Sequence, residues 1–205
     1  MPIANVHGQS IHYADSGGHG PAVIFSHGFL MDLSMFDAQV EALAGEYRCI
    51  AWDERGFGQT PAHGPFSYWD SANDAVALLD HLQIDKAVFV GMSQGGFLSL
   101  RAALSHPDRI AGIVIIASET AAPSSEQIEA YKVLFGQCQS AEQLCELAET
   151  VASLIIDNPD IASDWIAKWN ASDRSTLREP LETLLFRDAI TDRIGAVSYT
   201  HLTLP

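Results

Sequence analysis

Along the first 120 residues the apolar positions follow two alternating rhythms. Short unbroken apolar runs at residues 22–26, 48–52, 87–90 and 110–117 are separated by stretches in which apolar residues recur at helical spacing. The unbroken runs predict strands buried on both faces, and the spaced stretches predict amphipathic helices. One helix is expected over residues 34–44, carrying Met35, Phe36, Val40 and Leu43, with Ser34 as its N-cap. A second is expected over 68–82, with Trp69, Ala72, Val76, Leu79 and Leu82 on one face. A third covers 94–105 and is stopped by Pro107. Ahead of these, residues 6–13 read as an antiparallel hairpin turning at His7-Gly8-Gln9, and residues 17–21 form a Gly/Pro turn cluster. Strands alternating with helices predict an α/β fold, a mostly parallel sheet with helices on both faces.

After Glu119 only the helical rhythm persists, over residues 124–136, 141–156, 160–170 and 180–189. This predicts a helical cap inserted into the α/β core, with a boundary near Ala121-Ala122-Pro123. The expected organisation is a core at 1–122, a cap at 123–190, a return to the core at 191–196 and a tail at 197–205. The insertion carries Tyr131, Phe135, Trp165, Trp169 and Phe186. These aromatics either form the insertion's own core or, in part, line a substrate pocket. Trp165 and Trp169 are the candidates for the second role, together with Leu30 and Met92.

The candidate chemistry lies at Gly91-Met92-Ser93-Gln94-Gly95, between the 87–90 strand and the 94–105 helix. A strand–turn–helix this tight strains its central residue, and small neighbours two positions away on either side tolerate that. It presents the Ser93 hydroxyl above the sheet edge as a nucleophile, beside the amides that open the helix. A second signal is the 22–26 strand running into His27-Gly28-Phe29-Leu30. Acyl transfer builds charge on a carbonyl oxygen, and two preorganised N–H donors would stabilise it. The Gln94 and Phe29 amides are the candidates for this oxyanion hole. His27 reads as a brace for its own loop rather than as a base.

Bulk properties narrow the field. The formal charge of −15 disfavours nucleic acid and anionic membrane surfaces. Cys49, Cys138 and Cys145 are too few and too irregular for a disulfide framework or a zinc site, and Cys49 reads as a buried thiol. The first residues lack a basic region and a long apolar stretch, and the longest strongly apolar run, 113–117, is too short to span a bilayer. The expectation is a cytoplasmic protein acting on a small molecule, with no metal or organic cofactor and an oligomeric state left open.

Taken together, His27-Gly28-Phe29, Asp53-Glu54-Arg55-Gly56-Phe57-Gly58, Gly91-Met92-Ser93-Gln94-Gly95 and Ser105-His106-Pro107-Asp108-Arg109 resemble the α/β-hydrolase family from Val6 to about Gly195. The resemblance is nearest to small-ester hydrolases and enol-lactonases. It implies cleavage of a carboxylic ester or lactone through an acyl-enzyme. A C–C bond hydrolase of aromatic degradation and a receptor-like, non-catalytic member are the alternatives. A serine nucleophile argues against the epoxide hydrolase and haloalkane dehalogenase branches. Asp53 and Arg55 would brace neighbouring loops, and Glu119, after the sixth strand, is an alternative triad acid. The family order of serine, acid and histidine implies an acid and a histidine beyond residue 196. Residues 197–205 look unlike the family and resemble translated adaptor sequence, so they are set outside the fold. On this reading the last two strands, the usual acid and the catalytic histidine are missing. The parent protein would be a hydrolase, the fragment would be inactive, and residues 113–116 would be an exposed apolar edge. His106, His81, His63 and His201 are not expected to substitute for the missing base.

Overall fold

In a computed structural model the chain is described over residues 2–136, 141–172, 177–197 and 201–204. Side chains are described over the same residues except 135–136, 141–146 and 201–204. It divides into two compact units, one formed by Met1–Ala122 with Thr176–Pro205, the other by Pro123–Ser175.

The first unit is built on a sheet of seven described strands: β1 (Ile3–Val6), β2 (Gln9–Asp15), β3 (Ala22–Ser26), β4 (Arg48–Trp52), β5 (Ala87–Met92), β6 (Ile110–Ile116) and β7 (His201–Leu204). Their spatial order is β1-β2-β4-β3-β5-β6-β7. The β1–β2 and β2–β4 pairs are antiparallel and all later pairs are parallel. Every residue of β3 is buried, which is what an unbroken Ala-Val-Ile-Phe-Ser run with both faces covered requires. Helices α1 (Asp37–Leu43), α2 (Tyr68–His81) and α3 (Gln94–Ser105) link the parallel strands. Chain order runs β3 to β4 on one side, then crosses to β5 on the other. The C-terminal ends of β3 and β5 therefore meet at a switch point, with Ser26 paired to Gly91.

The predicted β4 and α3 match their observed bounds, and α2 ends one residue early. Ser67 opens α2 with a complete capping box: its side chain accepts the Asp70 N–H, and the Asp70 carboxylate accepts the Ser67 N–H. The start of the first helix is corrected. Residues 33–36 form a 3-10 turn, and its cap is Asp32, whose carboxylate accepts the Ser34 N–H at 2.9 Å and the Ser34 hydroxyl at 2.7 Å. Asp, two residues upstream, competes for the capping position, so Ser34 becomes a donor to the cap.

The sheet's far edge also differs from expectation. Residues 201–204 lie parallel to β6, pairing Ile113 with His201 and Ile116 with Leu204. The expected open edge at 113–116 is thus covered, and residues set outside the fold supply its partner. An Ile-rich strand leaves a row of backbone donors and acceptors unpaired unless a neighbour takes them, and His-Leu-Thr-Leu has the composition to do so.

The second unit contains α4 (Ser125–Gly136), α5 (Ala141–Ile155) and α6 (Pro159–Ala171). Helix α5 packs on α6, and Asn158 caps α6 by accepting the Asp160 N–H at 2.9 Å. Helix α7 (Arg178–Leu185) groups with the sheet unit rather than with the helices before it. The segment after it is pinned to α3 by Arg101, which is 1% exposed and binds the Asp188 carboxylate at 2.7 Å and the Asp188 carbonyl at 2.6 Å. Among the described residues no helix is long and apolar enough to cross a membrane.

Replacing Ser67 by Ala removes both legs of the α2 capping box. We expect a loss of about 1 kcal/mol in unfolding free energy, read from the urea midpoint at unchanged slope.

Candidate active site

The switch point brings the two sequence signals together. Ser93 follows β5 directly and residues 27–30 follow β3 directly, so the Ser26–Gly91 register sets the two loops side by side. Ser93 has φ 51° and ψ −112°, outside the regions that L-residues favour. Its N–H is tied to the Ile116 carbonyl at 2.9 Å. Gly95 donates to the His27 carbonyl at 3.2 Å. A Cβ on Gly95 would collide with the Ser26 carbonyl and lie 2.9 Å from the His27 oxygen, and one on Gly91 would collide with Gly95. Glycine at both positions is therefore a packing requirement. Gln94 is the first residue of α3, and its N–H donates to no described acceptor. Its side chain is buried, reached by the Tyr68 hydroxyl at 3.5 Å, with Nε2 unpartnered.

His27 is fully buried. Its Nε2 accepts the Glu54 N–H at 3.0 Å, which leaves the proton on Nδ1, facing the Gly28 carbonyl at 2.8 Å. Both nitrogens serve the loop, which is the bracing role expected from sequence. Leu30, two residues beyond Gly28, has φ 66°. Ala117, just past β6, has φ 46°, so three strained non-glycine residues follow the C-terminal ends of the central strands.

The 53–58 loop is the frame behind the site. Asp53, 1% exposed, accepts from Leu33 N–H and Gln59 N–H at 2.8 Å each and faces His12 Nδ1 at 2.7 Å. Arg55 forks onto Asp74 on α2. Both residues brace loops, as expected. Sequence reasoning missed Glu54. It is 2% exposed with Oε1 unpartnered, and burial, reinforced by the charge of Asp74, pushes its carboxyl well above the usual value. A carboxylate inside an otherwise structural Asp-Glu-Arg-Gly run was the available signal.

The remaining histidines lie elsewhere. His106 Nε2 faces Asn73 Oδ1 at 2.8 Å, His81 packs edge-on to Tyr13, and His63 is exposed in its loop. His201 begins β7, opposite Ile113, and its side chain lies outside the described residues. Its backbone is three residues, about 10 Å, short of the C-terminal edge where Ser93 stands. Glu119 forms an ion pair with Arg187, which is buried and stacks on the Phe97 ring at 4.4 Å. Trp165 and Trp169 belong to the helical unit with ring centroids 6.1 Å apart, and Trp169 is buried. Phe135 and Cys145 side chains, and Cys138, lie outside the described residues. Phe186 is exposed beside a groove of about 420 Å³ between the start of α2 and α7.

The sequence model of the alpha/beta hydrolase fold matches residues 21–140, more than half of the chain. The chain belongs to the α/β-hydrolase family. It is 34% identical over 161 residues to 3-oxoadipate enol-lactonase 2 of Acinetobacter baylyi, covering 74% of this chain and 58% of that protein. It is 38% identical over 110 residues to an epoxide hydrolase of Caballeronia sordidicola, covering 52% of this chain and 33% of that one. The chain thus spans less than two thirds of the length of these relatives. Among solved structures, the enol-lactonase of Burkholderia xenovorans LB400 superposes with a TM-score of 0.84 at 26% identity, over 98% of this chain and 80% of that one. A thermophilic esterase of Thermogutta terrifontis shares the fold with a TM-score of 0.82 at 24% identity, over 98% of this α/β-hydrolase and 78% of its own chain.

Two outcomes follow. Gly95→Ala should cost about 3 kcal/mol or more in a urea titration, whereas Gly45→Ala, with nothing within 4 Å of the new Cβ, serves as the tolerated control. Burial favours the neutral form of Glu54 in the fold, so the unfolded chain releases this proton first, near 4.5. Its contribution is complete below that value and is lost as pH rises toward the native value. Stability measured from about pH 5 to about pH 8 should fall less steeply in Glu54→Gln than in the parent.

Proposed function

We propose that this α/β-hydrolase cleaves a carboxylic ester or lactone with Ser93 as nucleophile. The observation that carries the reading is Ser93 at φ 51° on the β5–α3 turn, between two glycines that have no room for a side chain. That arrangement fixes a hydroxyl at the switch point, and the strain is held there by the Ile116 and His27 hydrogen bonds. Attack on the substrate carbonyl would form a tetrahedral oxyanion. The Gln94 N–H at the start of α3 and the Phe29 N–H of the neighbouring loop would receive it, each donor contributing about 3 kcal/mol to the barrier reduction. Collapse expels the alcohol and leaves an acyl-Ser93, which water then cleaves. Leu30 and Met92 give the acyl side an apolar lining.

Reaction class follows from the nucleophile's chemistry. A serine oxygen that opened an epoxide would form an ether, which water does not cleave under these conditions. Attack on an ester or lactone forms an ester that can turn over. The 34% identity to an enol-lactonase supports the same class.

None of the seven histidine rings described is hydrogen-bonded to Ser93. We therefore place the general base and its acid outside the described residues, and the 205-residue chain acylates slowly on its own. Incubation with p-nitrophenyl acetate, with and without added imidazole as an external base, tests this. An acetyl group mapped by mass to Ser93 and absent in Ser93→Ala is the expected result. Equal nitrophenolate release from both proteins, with no acyl group on Ser93, would refute the assignment.

A further inference from the structure

Gly28 is gripped by two thioethers. Its N–H donates to Met35 Sδ at 3.5 Å, and Met92 Sδ lies 2.7 Å from the point a Gly28 Cβ would occupy. Met35 and Met92 are both half-buried and pack against one apolar cluster that includes Val23, Phe25, Leu33 and Phe36. The chain has four methionines. Of the other two, Met1 begins the chain and Met31 is buried at 6% exposure. The two methionine side chains that touch Gly28 are thus more exposed than Met31 next to them. The loop they hold already carries a strained residue, Leu30, and is closed by the Met31 N–H on the Gly28 carbonyl at 3.0 Å.

We propose that Met35 and Met92 are a peroxide-sensitive modification site that sets the geometry of the 27–30 loop. The functional consequence rests on reading that loop as half of the oxyanion hole. The thioether lone pair attacks one oxygen of hydrogen peroxide. An S–O bond forms as the O–O bond breaks, the sulfur loses two electrons, and the peroxide leaves as water after proton transfer. Each added oxygen disturbs one contact. On Met35 it places a stronger acceptor one bond length beyond the sulfur that now receives the Gly28 N–H. Met92 Sδ already sits close against Gly28, and the larger, polar sulfoxide shifts that side chain or the loop it touches. A polar sulfoxide among Val23, Phe25 and Phe36 is also poorly solvated, which drives the same displacement. Gly28 precedes Phe29, whose amide would have to meet the oxyanion at hydrogen-bond distance, so a small shift removes a donor.

The test treats the full 205-residue chain with hydrogen peroxide. It follows oxygen addition by peptide mass, backbone hydrogen exchange over residues 27–31, and the rate of Ser93 acylation by p-nitrophenyl acetate. Met35 and Met92 should gain an oxygen before Met31. Exchange over 27–31 should quicken and acylation should slow at least about tenfold. A mixture of methionine sulfoxide reductases acting on both epimers should reverse all of this, and dithiothreitol, which reverses cysteine oxidation, should not. The Met35→Leu/Met92→Leu double variant, scored against its own untreated rate, should keep both rate and exchange under the same treatment. Unchanged rate and exchange in a chain fully oxidised at both residues overturns the proposal, as does equal loss in the double variant. If the untreated chain is never acylated at Ser93 while exchange over 27–31 still tracks oxidation, the methionine site stands and the Ser93 reading fails.

Discussion

The contact on which the rest of the site depends is the seating of Gly95 against the carbonyls that end β3. Any side chain at 95 would strike the Ser26 oxygen. Because nothing is there, the first turn of α3 lies directly on the loop that leaves β3, and the Gly95 N–H bonds the His27 carbonyl. One close approach thus places the amide that follows Ser93 next to the 27–30 loop. A wider separation would leave a serine on one strand and a loop on another, with no shared space at hydrogen-bond scale.

Strain of the kind seen at Ser93, Leu30 and Ala117 costs about 1–3 kcal/mol per residue, so something must over-determine these turns. The parallel ladders of β3, β5 and β6 do so from below, with Ser93 bound to Ile116 across the gap. His27 and Asp53 do so from the side. His27 spends both ring nitrogens on its own loop and on Glu54, and Asp53 collects donors from three segments. A neutral, fully buried imidazole with each nitrogen engaged is unsuited to proton shuttling. The histidine of the 27–30 loop is therefore a strut.

Much of this was legible in the chain because the determinants are local. Four short, mainly apolar runs separated by helical spacing mark strands wherever they sit, and β4 and α3 were readable to the residue. The Ser93 turn was readable because strand, Gly-x-Ser-x-Gly and helix are contiguous. What was illegible depends on competition or on partners distant in sequence. Ser34 and Asp32 are both good caps, and only the backbone at 32 decides between them. Helix α7 has a clear period, but no period says which unit it joins. That is set by Arg101 reaching Asp188, 87 positions away. The pairing of 201–204 with β6 was hidden for the same reason, since an edge takes whatever strand-competent segment the chain returns to it. Glu54 escaped notice because its neighbours in sequence are charged while its neighbours in space exclude water.

Glu119 shows how such a distant partner bears on function. It stands after β6, where a triad acid could sit, and its carboxylate is 43% exposed. An acid that orients a catalytic histidine needs an oxygen for the ring's N–H. Here one oxygen is held by Arg187, whose side chain is 3% exposed; its guanidinium lies over the Phe97 ring and has its Nε unpartnered. Removing Glu119 would strip that buried cation of its carboxylate. The penalty approaches the roughly 3–5 kcal/mol typical of a broken buried pair, reduced by the water that reaches Glu119. The Glu119–Arg187 pair has a structural use: with Arg101–Asp188 it ties the segment after α7 to the loop after β6 and to α3, so the returning chain steadies the helix that carries Gln94.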